Sequence, residues 1–333
     1  MFGHLPWSRL ATLPTPLERG PQLPGGARLW IKRDDLTGLG MGGNKARKLE
    51  YLVGAAVAEG ARSLVTVGAS QSNHCRMTAA AGALLGLEVH LVLSGDRPAR
   101  PEGNQLLSLL FGAQMHYTGA ADSHWGELEI ARESLVDELT ASGAAPYSIP
   151  IGGSTPVGAL GYAAAFFELM EQCRTRDVHP AAVVVTSSSG GTHAGLVAGR
   201  ALYAERHPDA ALPEVLAIGV AKGVNLGMPD VSRLAHDCIG LVGQPGMVTT
   251  RDVHLDTGWL GDDYAVPTDA GDAGVRWAAR HGGWVLDRTY TGKGFAGLLG
   301  NAEAGRWPPG SDVVFVHTGG MPAVFAESGS VVR

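Results

Sequence analysis

The chain has 333 residues, 45% of them hydrophobic and 17% charged, which suits a globular protein with a sizeable core, as two domains or one large α/β unit. Its net charge is −6 and no basic block is longer than residues 45–48, which argues against a nucleic-acid partner. Cys75, Cys173 and Cys238 lie far apart without C-x-x-C spacing, and no run approaches a signal core or a membrane span. A disulfide scaffold, a zinc site and a membrane partner are therefore disfavoured, and a cytoplasmic location is expected.

In chain order, residues 1–27 are rich in proline and loop-forming residues, with Thr15, Pro16 and Leu17 expected to pack against the body. A short strand is expected at 29–32, followed by the acidic pair Asp34 and Asp35 and a Gly-rich loop to Gly43. Helices and strands then alternate: helix 44–59, strand 63–67, helix 73–86, strand 88–93, helix 104–111, strand 114–117, helix 123–142 and strand 146–150. After Gly152 and Gly153 the series continues with helix 158–173, strand 181–186, helix 192–205, strand 214–220 and helix 229–240. Residues 244–263 show no pattern; helix 268–281, strand 284–287, helix 293–304 and strand 312–316 complete the series. Near-continuous apolar strands alternating with helices predict parallel sheets covered on both faces. Glycine breaks at 40–43 and 152–153 bracket a compact block, as expected of a smaller domain inserted in a larger one.

Gly42-Gly43-Asn44-Lys45 sets a lysine at the start of a helix. Leu49, Leu52, Val53, Ala56 and Val57 make an apolar stripe that includes the Lys45 side, while Arg47, Glu50 and Glu59 are expected in solvent. Loss of water and the positive end of the helix dipole would lower the lysine's pKa, and a neutral amine can attack an aldehyde, so Lys45 is a candidate Schiff-base lysine. The alternative is a lysine whose stem covers apolar surface while its head reaches water. Lys293, after Gly292 in a more polar segment, is a weaker competitor.

Ser187-Ser188-Ser189-Gly190-Gly191-Thr192-His193-Ala194-Gly195 joins a strand to a helix and gathers N–H groups and hydroxyls around one anion-sized space. It lacks both the P-loop lysine and G-x-G-x-x-G, so a small phosphate monoester is the better guess; a plain capped turn is the alternative. Ala69-Ser70-Gln71-Ser72-Asn73-His74 also opens a helix, where Ser72 or Asn73 is either a simple N-cap or part of a seat for a substrate carboxylate. His74 by itself is more often structural, and Cys75 is expected in the core. Tyr264, Tyr290-Thr291-Gly292-Lys293 and His317-Thr318-Gly319-Gly320 fall at or near strand ends, where ligands gather in open α/β sheets. No metal-ligand spacing and no G-x-S-x-G elbow appears.

Together, residues 31–50, 68–74, 149–155, 187–195, 290–297 and 317–320 resemble, in one order, the pyridoxal-phosphate enzymes of the tryptophan-synthase-β fold (fold type II), in particular the D-cysteine desulfhydrase and ACC deaminase family. The resemblance implies a large cofactor-binding domain of residues 1–45 plus 152–333, a small inserted domain of 46–151, each a mostly parallel sheet flanked by helices, and a homodimer. It implies that Lys45, beside Asn44, carries the Schiff base with pyridoxal 5'-phosphate and that Asn73 bonds the ring oxygen. Ser189, Gly190, Gly191 and Thr192 would hold the phosphate, Thr291 would hydrogen-bond the ring nitrogen, and Thr318 would also bind the cofactor. Ser72, Tyr264 and Tyr290 would be catalytic, with Gln71, Ser72, Asn73 and His74 around the substrate.

ACC deaminases resemble one another in having Glu and Leu at the positions of Thr291 and Thr318, so the desulfhydrase pattern fits better. The activity implied is α,β-elimination of a small β-substituted amino acid, first D-cysteine, to pyruvate, ammonia and hydrogen sulfide, with Lys45 or Ser72 removing the Cα proton. The alternatives are ACC deaminase, L-cysteate sulfo-lyase and, outside enzymes, a non-catalytic phosphometabolite-binding protein. Met77 and Met321 depart from the family pattern and are expected to reshape the pocket.

Overall fold

The structure is a computed structural model that describes residues 2–244 and 248–326. The chain opens with β1 (Leu17–Gln22) and β2 (Arg28–Lys32), then α1 (Lys45–Ala58), β3 (Ser63–Gly68), α2 (Asn73–Leu85) and β4 (Glu88–Leu93). Next come α3 (Gly103–Leu110), β5 (Gln114–Tyr117), α4 (Trp125–Ala141), β6 (Pro146–Ile149), α5 (Pro156–Thr175), β7 (Pro180–Ser187) and α6 (Gly191–Arg206). The last part holds β8 (Glu214–Gly219), α7 (Lys222–Asn225), α8 (Val231–Leu241), β9 (His254–Asp256), α9 (Asp269–Gly282), α10 (Thr291–Glu303), β10 (Asp312–Val316) and α11 (Met321–Val324).

Among the described residues the strands form two sheets. One runs β1-β2-β10-β7-β8-β9 and the other β5-β4-β3-β6. All pairs are parallel except β1 with β2. The four-stranded sheet uses only residues 63–149, so it lies within the span expected for the small domain. Central strands such as β10 are buried at every position, which is why they read as unbroken apolar runs.

Helices α5 and α6 seal one face of the large sheet at very short range. A Cβ on Gly195 would lie 2.4 Å from Ala159 O, and one on Gly199 would lie 2.6 Å from Phe166 Cβ. Only glycine fits there.

Four expectations are corrected. Residues 1–27 hold β1, hidden in sequence by Gly20 and Pro21; an edge strand tolerates proline, and the register shifts between Arg19 and Gln22. The patternless stretch holds the three-residue β9, and its residues 245–247 lie outside the described residues. Residues 284–287 are not a strand, because β10 already has β2 and β7 on its two edges; Trp284 and Leu286 fill the core instead. Val57 of the expected stripe is half exposed, whereas Arg47 and Glu50 are buried.

Helix α1 is covered on both sides, which periodicity within one helix does not reveal. Glu50 Oε1 accepts from Leu10 N and Ala11 N, at 3.1 and 3.0 Å. Arg47 donates to Asp34 Oδ2 at 2.8 Å and to both Glu168 oxygens, while Tyr162 donates to Asp34. Burial alone would push the Asp34 carboxyl up, but Arg47 and Lys32 hold it below its ordinary range. This buried network ties α1 and α5 to the loop after β2, and so fixes the helix that begins at Lys45.

Candidate active site

Between the sheets lies a cavity of about 720 Å³, lined at one end by Lys45 and elsewhere by Ser72, Asn73, His74, the 187–190 turn, Thr192, Tyr264, Tyr290 and Thr318. Lys45 stands at the first turn of α1, with Asn44 as its N-cap residue. Its Nζ donates to Asn44 Oδ1 at 3.1 Å, and Asn44 Nδ2 donates to Thr192 Oγ1 at 2.9 Å. One amide side chain thus bridges the amine and the Ser/Gly/Thr loop. Burial, then the charge of Arg76, lowers the Lys45 pKa from 10.5 to about 8, with Asp287 opposing.

The loop itself is built to approach an anion. Gly190 sits at φ 80°, in the left-handed region, and Gly191 opens α6 with its N–H unpaired within the helix. A Cβ on Gly191 would lie 2.5 Å from Lys48 Nζ and 2.6 Å from Ser154 Oγ. Ser154 Oγ donates to Ser189 Oγ at 2.8 Å and accepts from Gly191 N at 3.2 Å. Lys48 is fully buried, donating to Gly152 O at 2.5 Å and Ser154 Oγ at 3.2 Å. Burial and nearby Lys45 hold its pKa well down. An anion here would restore its charge. Lys48 and Ser154 were not foreseen, although Lys48 follows Lys45 by three residues and so shares its helix face.

Ser72 caps α2, its Oγ accepting from Cys75 N at 3.2 Å while the residue lines the cavity, so cap and cavity wall coincide. Asn73 also lines it, and its Oδ1 accepts from Asn104 Nδ2. Gln71 does not: its side chain is tied to Asn104 N and Glu102 O of the α3 region. His74 is buried with Nε2 2.9 Å from Thr66 Oγ1. That hydroxyl donates to Ile149 O, so Nε2 carries the proton and Nδ1 is a bare acceptor without a protein partner. Burial and the two lysines keep the ring neutral. Cys75 is core, and burial pushes its thiol up to about 12.

Across the cavity, the hydroxyls of Tyr264 and Tyr290 are hydrogen-bonded to each other, with ring centroids 5.8 Å apart. Burial raises both pKa values, so both phenols keep their protons at neutral pH. Asp287, also unforeseen, lines the cavity and holds this wall. Its carboxylate accepts from Tyr290 N, Thr291 N and Thr291 Oγ1 at 2.6, 3.2 and 2.7 Å. Three donors at the start of α10 suit a carboxylate. Thr318 lines the cavity, but Thr291 lies behind it, its hydroxyl donated to Asp287 and accepting from Asp287 N.

Lys293 is no rival. It is fully buried rather than in a polar segment, its Nζ donates to Leu260 O and Asp263 O, and it does not line the cavity. Met77 and Met321 do not line it either. No group of His, Cys, Asp and Glu among the described residues could hold a metal.

A profile of the family described as "Pyridoxal-phosphate dependent enzyme" matches residues 9–319. The chain belongs to the pyridoxal-phosphate-dependent enzymes. Within that family it is similar to the D-cysteine desulfhydrases of Salmonella typhi and Salmonella newport (strain SL254), each 40% identical over 97% of this chain and 96% of the relative. The solved structure of an ACC deaminase homologue superimposes with TM-score 0.88 at 35% identity, covering 99% of this chain and 97% of that one. A fungal L-serine ammonia-lyase from Rhizomucor miehei shares the fold, with TM-score 0.65, 17% identity and 94% and 95% coverage. The pyridoxal-phosphate-dependent enzyme is thus a fold type II protein, an α/β chain with two sheets covered by helices. Its cavity suits pyridoxal 5'-phosphate on its own geometry. The turn 187–190 and Thr192, at the start of α6, offer the phosphate hydroxyls and N–H groups inside the cavity, and the aldehyde end suits Lys45, whose pKa burial lowers to about 8.

Proposed function

We propose that this chain is a pyridoxal-phosphate-dependent lyase that eliminates the β-substituent of a small amino acid, D-cysteine first. Water and D-cysteine give pyruvate, ammonia and hydrogen sulfide. The observation that carries this reading is the Lys45–Asn44–Thr192 chain, which joins a depressed amine to an anion cradle opposite a protonated tyrosine pair.

The bound cofactor supplies an electron-withdrawing ring at the substrate's α-carbon. The start of α2, with Ser72, Asn73 and the His74 N–H, offers the substrate carboxylate a seat. Lys45, which loses its proton near pH 8 rather than near 10.5, takes the Cα proton, and Ser72 is the second candidate. Tyr264 and Tyr290 hand a proton to the departing sulfur, which leaves as sulfide. Asp287 and Thr291 act behind them, fixing where Tyr290 stands. Residues 46–151 are proposed as the small domain that closes this cavity.

Purified protein should release sulfide and pyruvate in equal amounts from D-cysteine, and Lys45→Ala should lose both turnover and visible cofactor absorbance. Absence of sulfide, with 2-oxobutyrate formed from ACC, would favour the second reading, which the likeness to the ACC deaminase homologue supports. Release from L-cysteate alone would point to a sulfo-lyase, and no product from any of them to a binding protein. A homodimer is part of the proposal; Leu106 and Leu110 on α3 and nearby Phe325 are exposed apolar groups that a second copy could cover. No helix among the described residues is long and apolar enough to cross a membrane.

A further inference from the structure

Beyond the reacting cavity lies a second, larger one of about 1370 Å³, and the two share four wall residues: Trp125, Ile151, Ser189 and Tyr264. Trp125 is the bulkiest of these. It starts α4 on the four-stranded-sheet side, yet its ring crosses to the other side. It meets Tyr264 edge-on, with centroids 5.4 Å apart and planes at 82°. A Cβ on Gly223 of α7 would lie 3.8 Å from its Cζ3. It packs both on the cluster of Val67, Val92 and Leu128 and on the core that contains Tyr264.

Its orientation is held from below. Trp125 Nε1 donates to Asp122 O at 3.1 Å, and the Asp122 carboxylate accepts from Ser70 N at 3.1 Å and from Ser94 Oγ. One short loop therefore fixes both the ring and the turn that leads to Ser72. Tyr264, which Trp125 touches, is itself bonded to Tyr290. A substituent that extends from the reacting carbon past the tyrosine pair meets this indole before it reaches the outer space.

We propose that Trp125 sets the substrate's size limit: it closes the reacting cavity against the outer one and confines binding to amino acids with short β-substituents. This rests on the lyase reading for the choice of substrate, but it is tested through binding. The cavity wall would act by exclusion, so shortening the indole joins the two spaces, and a longer side chain gains room that a short one does not use.

The test uses holoenzyme and two amino acids without a leaving group, alanine and phenylalanine, in both D and L forms. Equilibrium binding is read from the change in visible cofactor absorbance. For the better-bound enantiomer, the wild type should favour alanine over phenylalanine by at least about tenfold. In Trp125→Ala the phenylalanine-to-alanine affinity ratio should rise at least about tenfold, with a smaller rise in Trp125→Leu and little in Trp125→Phe. Trp125→Leu carries the test if Trp125→Ala fails to fold. A ratio that is unchanged in a variant with intact cofactor absorbance would overturn the proposal. D-cysteine turnover is assayed separately: loss of that activity in the wild type alone would overturn the lyase reading and leave the size limit standing.

Discussion

Replacing Lys45 by Met in cofactor-free protein tests the electrostatic basis of the site. Burial and Arg76 bring the amine from 10.5 to about 8. Between these values the unfolded chain binds more protons than the native one, so the stability carried by this group rises with pH across that window. The charged form is penalised in the fold, and the penalty lifts as the amine deprotonates. A difference of about 2.5 between the two pKa values, at 1.36 kcal/mol each, corresponds to about 3.4 kcal/mol in total, of which about 2.5 falls between pH 7 and pH 10. Lys45 keeps partial contact with the cavity, and water there reduces the expectation to roughly 1–2 kcal/mol. Urea unfolding of both proteins at the two pH values measures it. Other titrating groups largely cancel in the comparison. From about pH 7 to about pH 10 the wild type should gain on the Met variant by that amount. A gap that is equal at both, or that moves the other way, would refute the reasoning. Capture of added pyridoxal phosphate by the wild-type protein should accelerate with a midpoint near 8, not near 10.5.

Lys48→Met should weaken cofactor retention at least about tenfold while the protein stays folded, because the buried cation beneath Ser154 and Gly191 is removed; dialysis with absorbance readings checks it. Asp287→Ala leaves Tyr290 N and Thr291 N without their acceptor and the Thr291 hydroxyl with only Gly319 O, so unfolding free energy should fall by roughly 3 kcal/mol and turnover with it, with Asp287→Asn losing less. Arg47→Met leaves the buried Asp34 carboxylate without its ion-pair partner, while Glu168 keeps Lys32, and should cost roughly 3–5 kcal/mol in urea unfolding; a loss under about 1 would show that the network relaxes easily.

The alternation of helices and strands, the strand-end turns and the lysine at a helix start were all legible in the chain, because each is written in local spacing and in loop residues with a special geometry. Lys45, Asn44, Ser72, Asn73, His74, Ser189, Gly190, Thr192, Tyr264, Tyr290 and Thr318 do line one cavity, whereas Gln71, Gly191 and Thr291 are not part of its wall. Adjacent motif positions can face opposite ways: Ser72 caps the helix inward while Gln71 turns to α3, a choice made by the neighbouring backbone.

What the chain alone determined is the set of candidate groups for the proposed chemistry, since amine, hydroxyls and glycines sit at the ends of elements whose periodicity is local. What only the tertiary structure decided is how those groups are charged and supported. Arg47 and Glu50 look solvated on an isolated helix, and become buried once α5 and the N-terminal segment cover it. Lys48 and Trp125 acquire their parts from partners more than a hundred residues away, Gly152 and Ser154 for the lysine and Tyr264 for the indole. Desolvation depends on every element that packs around an atom, and no spacing within one segment carries that information.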